Sequence, residues 1–108
     1  MTNCLFCKII KKEIPSSVVF ETDEIIAFKD INPKAKTHLL IVPKKHIDTI
    51  KDLKEDEADE ILVGKMVLAA RDIAKSMNLA GYRLAFNVGK EGGQVIFHIH
   101  LHLLSDQG

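Results

Sequence analysis

Apolar and polar positions change rhythm several times along the chain. Over residues 4–13, Leu5, Phe6, Ile9 and Ile10 recur among lysines, which predicts a short amphipathic helix stopped by Pro15. Residues 17–21 and 24–29 are β-branched or aromatic runs split by Thr22-Asp23, the pattern of a hairpin. Asn32-Pro33 breaks the second run, and residues 37–42 read as a nearly fully buried third strand ended by Pro43. Over residues 55–77 the period shifts: Ala58, Ile61, Leu62, Met66, Ala69, Ala70, Ile73 and Met77 recur at helical spacing. Acidic Glu55, Asp56 and Glu57 suit the start of this long helix, and Asn78 and Gly81 suit its end. Residues 82–87 and 95–104 complete the pattern as two strands around a glycine-rich turn, Gly89 to Gly93. Helix, three strands, helix and two strands predict an α+β fold, a mainly antiparallel sheet with helices mainly on one face.

Length and composition narrow the classes. A chain of 108 residues supports one core, hence one domain over residues 1–108, and no internal repeat or linker interrupts it. No stretch approaches the roughly 20 consecutive apolar residues of a membrane helix, so no membrane partner is expected. The opening Met1-Thr2-Asn3-Cys4 has neither a basic start nor an apolar signal core, which predicts a cytoplasmic product. Lys plus Arg and Asp plus Glu number 15 each, so there is no global field to gather nucleic acid. A small anionic ligand, recognised locally, fits better.

The chemistry concentrates in Phe97-His98-Ile99-His100-Leu101-His102-Leu103. Strand alternation would set the three histidines on one face and turn Phe97, Ile99, Leu101 and Leu103 toward the long helix. Three readings compete: a solvated strand face, a catalytic metal held by several histidines, and nucleophilic catalysis by a neutral imidazole. Cys4-Leu5-Phe6-Cys7 has the spacing with which two thiolates grip one tetrahedral zinc, with His46 and His98 the natural remaining ligands. Two buried thiols, or a redox pair, are the other readings of these cysteines. A Cys2His2 site would leave His100 free of metal.

These residues together carry a family resemblance over nearly the whole chain. His98-Ile-His100-Leu-His102-Leu-Leu resembles the alternating signature of the histidine triad family, in particular its Hint branch. The runs Lys8 to Pro15, Ala27 to Pro33, Thr37 to His46, and Asn87 with Gly92-Gly93-Gln94 fall where that branch has similar ones. The resemblance implies a homodimer whose two five-stranded sheets join, acting on purine nucleoside phosphoramidates or acyl-nucleotides through a nucleotidyl-histidine. By position, His100 matches the histidine that attacks the α-phosphorus and His102 the one that contacts phosphate oxygens. Asp30 matches the carboxylate on the ribose hydroxyls, with Phe6, Phe28 and Ile31 near base and sugar. Asn87, Gly93 and Gln94 match the phosphate side, Asn87 joining His100 and His102 in the catalytic set. It also implies structural Zn2+ on Cys4, Cys7, His46 and His98. Val95 stands at a nucleotide-site position where eukaryotic members have a serine near the leaving group. Six residues follow His102, without the tryptophan-containing tail of those members.

Such chemistry sets further expectations. The second ring nitrogen of His100 should donate to a main-chain carbonyl, and N–H groups of the Gly89 to Gly93 turn should face phosphate oxygens. Asp30 also reads as a turn-forming residue, Lys44-Lys45 as a solvated strand end, and His38 either as a satisfied structural histidine or as support for the site. A nucleotide-binding regulatory protein and a dinucleoside-polyphosphate hydrolase are the alternatives to a phosphoramidate hydrolase.

Overall fold

Residues 25–28 and 37–43 are buried at every position, so the strands they form need cover on both faces. The computed structural model, which describes residues 3–108 and so leaves Met1 and Thr2 of the opening stretch outside, supplies that cover. Strands β1 (Val18–Glu21), β2 (Ile25–Lys29), β3 (Thr37–Pro43), β4 (Arg83–Phe86) and β5 (Leu101–Ser105) form one antiparallel sheet in the order β1-β2-β3-β5-β4. Helix α2 (Glu57–Ser76) packs Leu62, Met66, Ala69, Ala70 and Ile73 on one face, against Ile25, Ala27, Leu39, Ile41, Leu101 and Leu103. Its cap is Asp56, whose side chain accepts from Asp59 N at 2.9 Å.

Helix α1 (Leu5–Ile10) lies on the opposite face, where Phe6 and Ile9 pack with Ile26, Phe28, Leu40 and Val42. The expectation of helices mainly on one face is therefore corrected: each face carries one helix. The first helix is also shorter than its pattern, because Lys12 turns left-handed (φ 64°) and Glu13 N closes back on Lys8 O at 2.9 Å.

The last strand is shorter as well. Pairing of β5 with β3 begins at Leu101 opposite Ile41, and Ile99 N instead donates to Ile47 O at 2.8 Å, in the loop beyond Pro43. Residues 95–100 thus form an irregular approach to the strand. Ile99, Leu101 and Leu103 face α2 as the alternation predicts, but Phe97 is 43% exposed and does not join them.

Candidate active site and metal-ligand cluster

The sheet face beneath α1 is built in rows by strand register. Phe28, Leu40, His102 and Ala85 are successive partners across β2, β3, β5 and β4. The next row holds His38, Leu104 and Arg83, with Asp30 joined to it through Asp30 N and His38 O at 3.0 Å. Over these rows lies a cleft of about 680 Å³, walled by Leu5, Phe6 and Ile9 of α1 and by Asn87, Gly93 and Val95. That volume suits a mononucleotide-sized ligand. Phe6, Phe28, Asp30, Ile31, Asn87, Gly93, Val95, His100 and His102 all line it.

Gln94 is the exception. Its side-chain oxygen accepts from Gly89 N at 2.8 Å and its amide nitrogen donates to Asp48 O and Ile96 O at 2.7 and 3.0 Å, so the buried amide braces the loop. Three more of the loop's N–H groups are spent in the same way. Gly92 N and Gln94 N donate to Gly89 O, and Gly93 N donates to Lys90 O. Closure of the turn takes up the N–H groups of Gly89, Gly92 and Gly93, so three of the five donors expected to form a cradle there are bonded within the loop. Gly93 is held at φ 89°, a left-handed backbone conformation that glycine adopts without strain.

The histidines make two connected sets. His100, 8% exposed, donates from Nδ1 to the His98 carbonyl at 2.8 Å, which leaves the Nε2 lone pair as its remaining function. The acceptor is the main-chain carbonyl two residues earlier in the same chain segment. Burial, partly offset by this hydrogen bond and by Asp30, holds the ring's pKa below the ordinary 6.5, so His100 is neutral at pH 7. The rings of His100 and His102 lie 4.9 Å apart.

His102 belongs to a chain whose proton positions follow from one fixed donor. Lys34 N donates to His38 Nδ1 at 3.0 Å, so neutral His38 carries its proton on Nε2 and gives it to His102 Nδ1, also 3.0 Å away. His102 then carries its own proton on Nε2. Asn87 Nδ2 lies 3.5 Å from that nitrogen, so two donors face one region beside His100, an arrangement made for an anionic oxygen. Burial first, then neighbouring His100 and His38, push the His102 pKa down to about 4. His38 is thus both satisfied and supporting, the two readings its sequence left open. Asp30 likewise does both: Oδ1 accepts from Asn32 N at 2.8 Å, closing the turn, while Oδ2 lies 3.5 Å from His38 Nε2. Lys34 and Arg83 complete this end of the cleft. Their pattern did not single them out, although alternation along β4 places Arg83 and Ala85 on one face.

His98 turns away from this set. Its Nδ1 lies 3.4 Å from Cys4 Sγ and 3.6 Å from Cys7 Sγ, and His46 Nδ1 lies 3.1 Å from Cys7 Sγ. The four ligand atoms fall within 4.8 Å of one another. Tetrahedral zinc with its usual bond lengths would separate sulfur and nitrogen by about 3.5 Å, close to these spacings. Each outer nitrogen has an acceptor: His98 Nε2 bonds Pro43 O at 2.7 Å and His46 Nε2 bonds Asp48 Oδ1 at 2.6 Å. That directs both Nδ1 lone pairs inward, the tautomer a metal ligand needs. These residues fit a metal ion. Asp30, His38 and His102 also approach within 4.8 Å, but both ring nitrogens of His38 are engaged in the proton chain, which argues against an ion held by these three.

The comparisons with known proteins agree with this geometry. The family model described as "Scavenger mRNA decapping enzyme C-term binding" matches residues 3–108. The protein HitA of Neisseria gonorrhoeae is 46% identical over 105 residues, covering 96% of either chain. A purine nucleoside phosphoramidase of Escherichia coli (strain K12) is 44% identical over 102 residues, 93% of this chain and 84% of that one. Among solved structures, a HIT family hydrolase from Legionella pneumophila Philadelphia 1 superposes with a TM-score of 0.91 at 52% identity, covering 98% of this chain and 95% of the other. A histidine triad protein from Clostridium difficile gives 0.92 at 40% identity, covering 100% and 94%. No helix among the described residues is long and apolar enough to cross a membrane. Sequence, fold and the arrangement of His98, His100 and His102 lead to one conclusion: the chain belongs to the histidine triad family.

Proposed function

We propose that this chain hydrolyses purine nucleoside phosphoramidates, transferring the nucleotidyl group first to His100 and then to water. The observation that carries the reading is the neutral His100 ring, tied through Nδ1 to the His98 carbonyl at 2.8 Å with Nε2 left to attack. The name of the Escherichia coli relative supports the substrate class. In the first step Nε2 forms a bond to the α-phosphorus as the P–N bond to the amine breaks, and the amine takes its proton from water at the open mouth of the cleft. Val95, 82% exposed there, has no proton to give. In the second step water attacks phosphorus and releases a proton to solvent, balancing the one drawn in the first step, while the P–N bond to His100 breaks and the nucleoside monophosphate leaves. His102 Nε2–H and Asn87 hold the non-bridging oxygens, Asp30 takes the ribose hydroxyls, and Phe6, Phe28 and Ile31 line the base.

The same reading makes the ion at Cys4, Cys7, His46 and His98 a structural Zn2+, supported by the two-sulfur, two-imidazole donor set. It makes the assembly a homodimer joined through the β4 edge, supported by exposed Leu84 and Tyr82 there, and places the protein in the cytoplasm. His100→Ala should lower kcat on an adenosine phosphoramidate by at least about three orders of magnitude with the fold intact. Mass spectrometry on quenched wild-type enzyme should find the nucleotidyl group on His100. Normal turnover in the variant refutes the reading, and faster hydrolysis of a dinucleoside polyphosphate than of any phosphoramidate would reassign the substrate.

A further inference from the structure

The metal-ligand cluster and the cleft share two parts of the molecule. The first is α1. Cys4 caps this helix, its Sγ accepting from Cys7 N at 3.4 Å, and Phe6 sits in sequence between the two thiols. The Phe6 ring lies 5.0 Å from the ring of His100 and 5.5 Å from that of Phe28. A helix of six residues does not hold itself in water, so its position depends on what anchors it. The anchors are the apolar contacts of Phe6 and Ile9 and the cluster at its N-terminus. The second shared part is His98. Its ring faces the thiols, while its carbonyl accepts the Nδ1–H that fixes the tautomer of His100.

We propose that an ion on Cys4, Cys7, His46 and His98 and a nucleotide in the cleft bind with positive coupling, transmitted by Phe6 and by the His98 carbonyl to His100. This rests on the nucleotide-site reading above and adds a regulation to it. An ion that draws the four ligands together fixes the start of α1 and the backbone of His98. Both the apolar wall of the cleft and the pose of His100 are then set before the nucleotide arrives, so less ordering is left for binding to do. Linkage makes the effect reciprocal: the factor by which the ion tightens nucleotide binding equals the factor by which the nucleotide tightens ion binding.

The test uses the full chain, stripped of metal or loaded with Zn2+, and AMP as the probe. Calorimetry should give an AMP Kd at least about 5-fold lower for the loaded protein, and a chelator competition should show zinc held tighter by the same factor when AMP is saturating. Long-range proton–nitrogen spectra of the imidazoles should show His100 as a single Nδ1–H tautomer with zinc and as a mixture without it. Phe6→Leu, which keeps an apolar anchor but loses the ring contact, should bind zinc and show a smaller factor. Equal AMP affinity in the two forms, with zinc demonstrably bound to one, overturns the coupling while both sites stand. An unchanged factor in Phe6→Leu overturns the route through α1. If neither form binds AMP the nucleotide reading falls with it, and if the chain takes up no zinc the ligand assignment does.

Discussion

His38 touches neither the proposed nucleophile nor the phosphate region, yet it should control turnover. Its Nε2–H, 3.0 Å from His102 Nδ1, is what keeps the His102 proton on the nitrogen beside Asn87. Replacing it with Asn preserves an acceptor near the old Nδ1 for Lys34 N, but the shorter side chain ends before His102. His102 is then free to carry its proton on Nδ1, presenting a lone pair to the phosphate oxygen. Complete loss of one such donor costs about 2.7–4 kcal/mol, or 10²–10³ in kcat. His102 would still adopt the productive tautomer part of the time, so the penalty moves toward the ~1 kcal/mol of a single net hydrogen bond. The expected fall in kcat for His38→Asn is therefore about 10- to 100-fold. His38→Gln, whose amide nitrogen reaches the old Nε2 position, should recover most of it. Steady-state hydrolysis of an adenosine phosphoramidate, with thermal melts to equalise folded fraction, provides the assay. If His38→Asn retains more than half of wild-type kcat, or if His38→Gln is no better than His38→Asn at equal stability, the tautomer argument is wrong.

Two further outcomes follow from burial. Because desolvation holds the His100 pKa below 6.5 and His102 near about 4, both rings stay neutral as pH falls from 8 to 6.5, and the nucleophile is lost only at lower pH. The acid limb of kcat/KM should therefore lie below pH 6.5, and a midpoint at or above 6.5 would contradict it. The same groups bind more protons when unfolded, so stability should decline as pH drops from 6.5 toward 4, which acid titration by circular dichroism can follow. In the other core, Met66 of α2 is 1% exposed against the sheet, and Met66→Ala should cost about 2–5 kcal/mol in denaturant unfolding. A loss below about 1 kcal/mol would mean that α2 closes over the cavity.

Hydrophobic period alone determined much of this protein. The helical spacing from Leu62 to Ile73 and the apolar runs of β2 and β3 are local properties, so the elements and their order were readable before any contact was known. Alternation likewise separated Ile99, Leu101 and Leu103 from the histidines between them, and the Cys-x-x-Cys spacing named half of the metal-ligand cluster. The uninterrupted burial of β3 already implied two covered faces, which argued against grouping both helices on one. What the sequence withheld depends on pairing between distant segments. Only the register of β3 against β5 sets Leu40 beside His102 and brings His38 within a hydrogen bond of it. Only the end of that ladder at Leu101 releases His98 to turn toward Cys4 and Cys7. Whether Gln94 and the glycine turn face the ligand or brace each other was a matter of hydrogen-bond accounting, decided by which acceptors the fold brought near. Period fixes which side of its element a residue occupies; tertiary pairing fixes what waits on that side, because polar groups bond to the partners that long-range packing delivers.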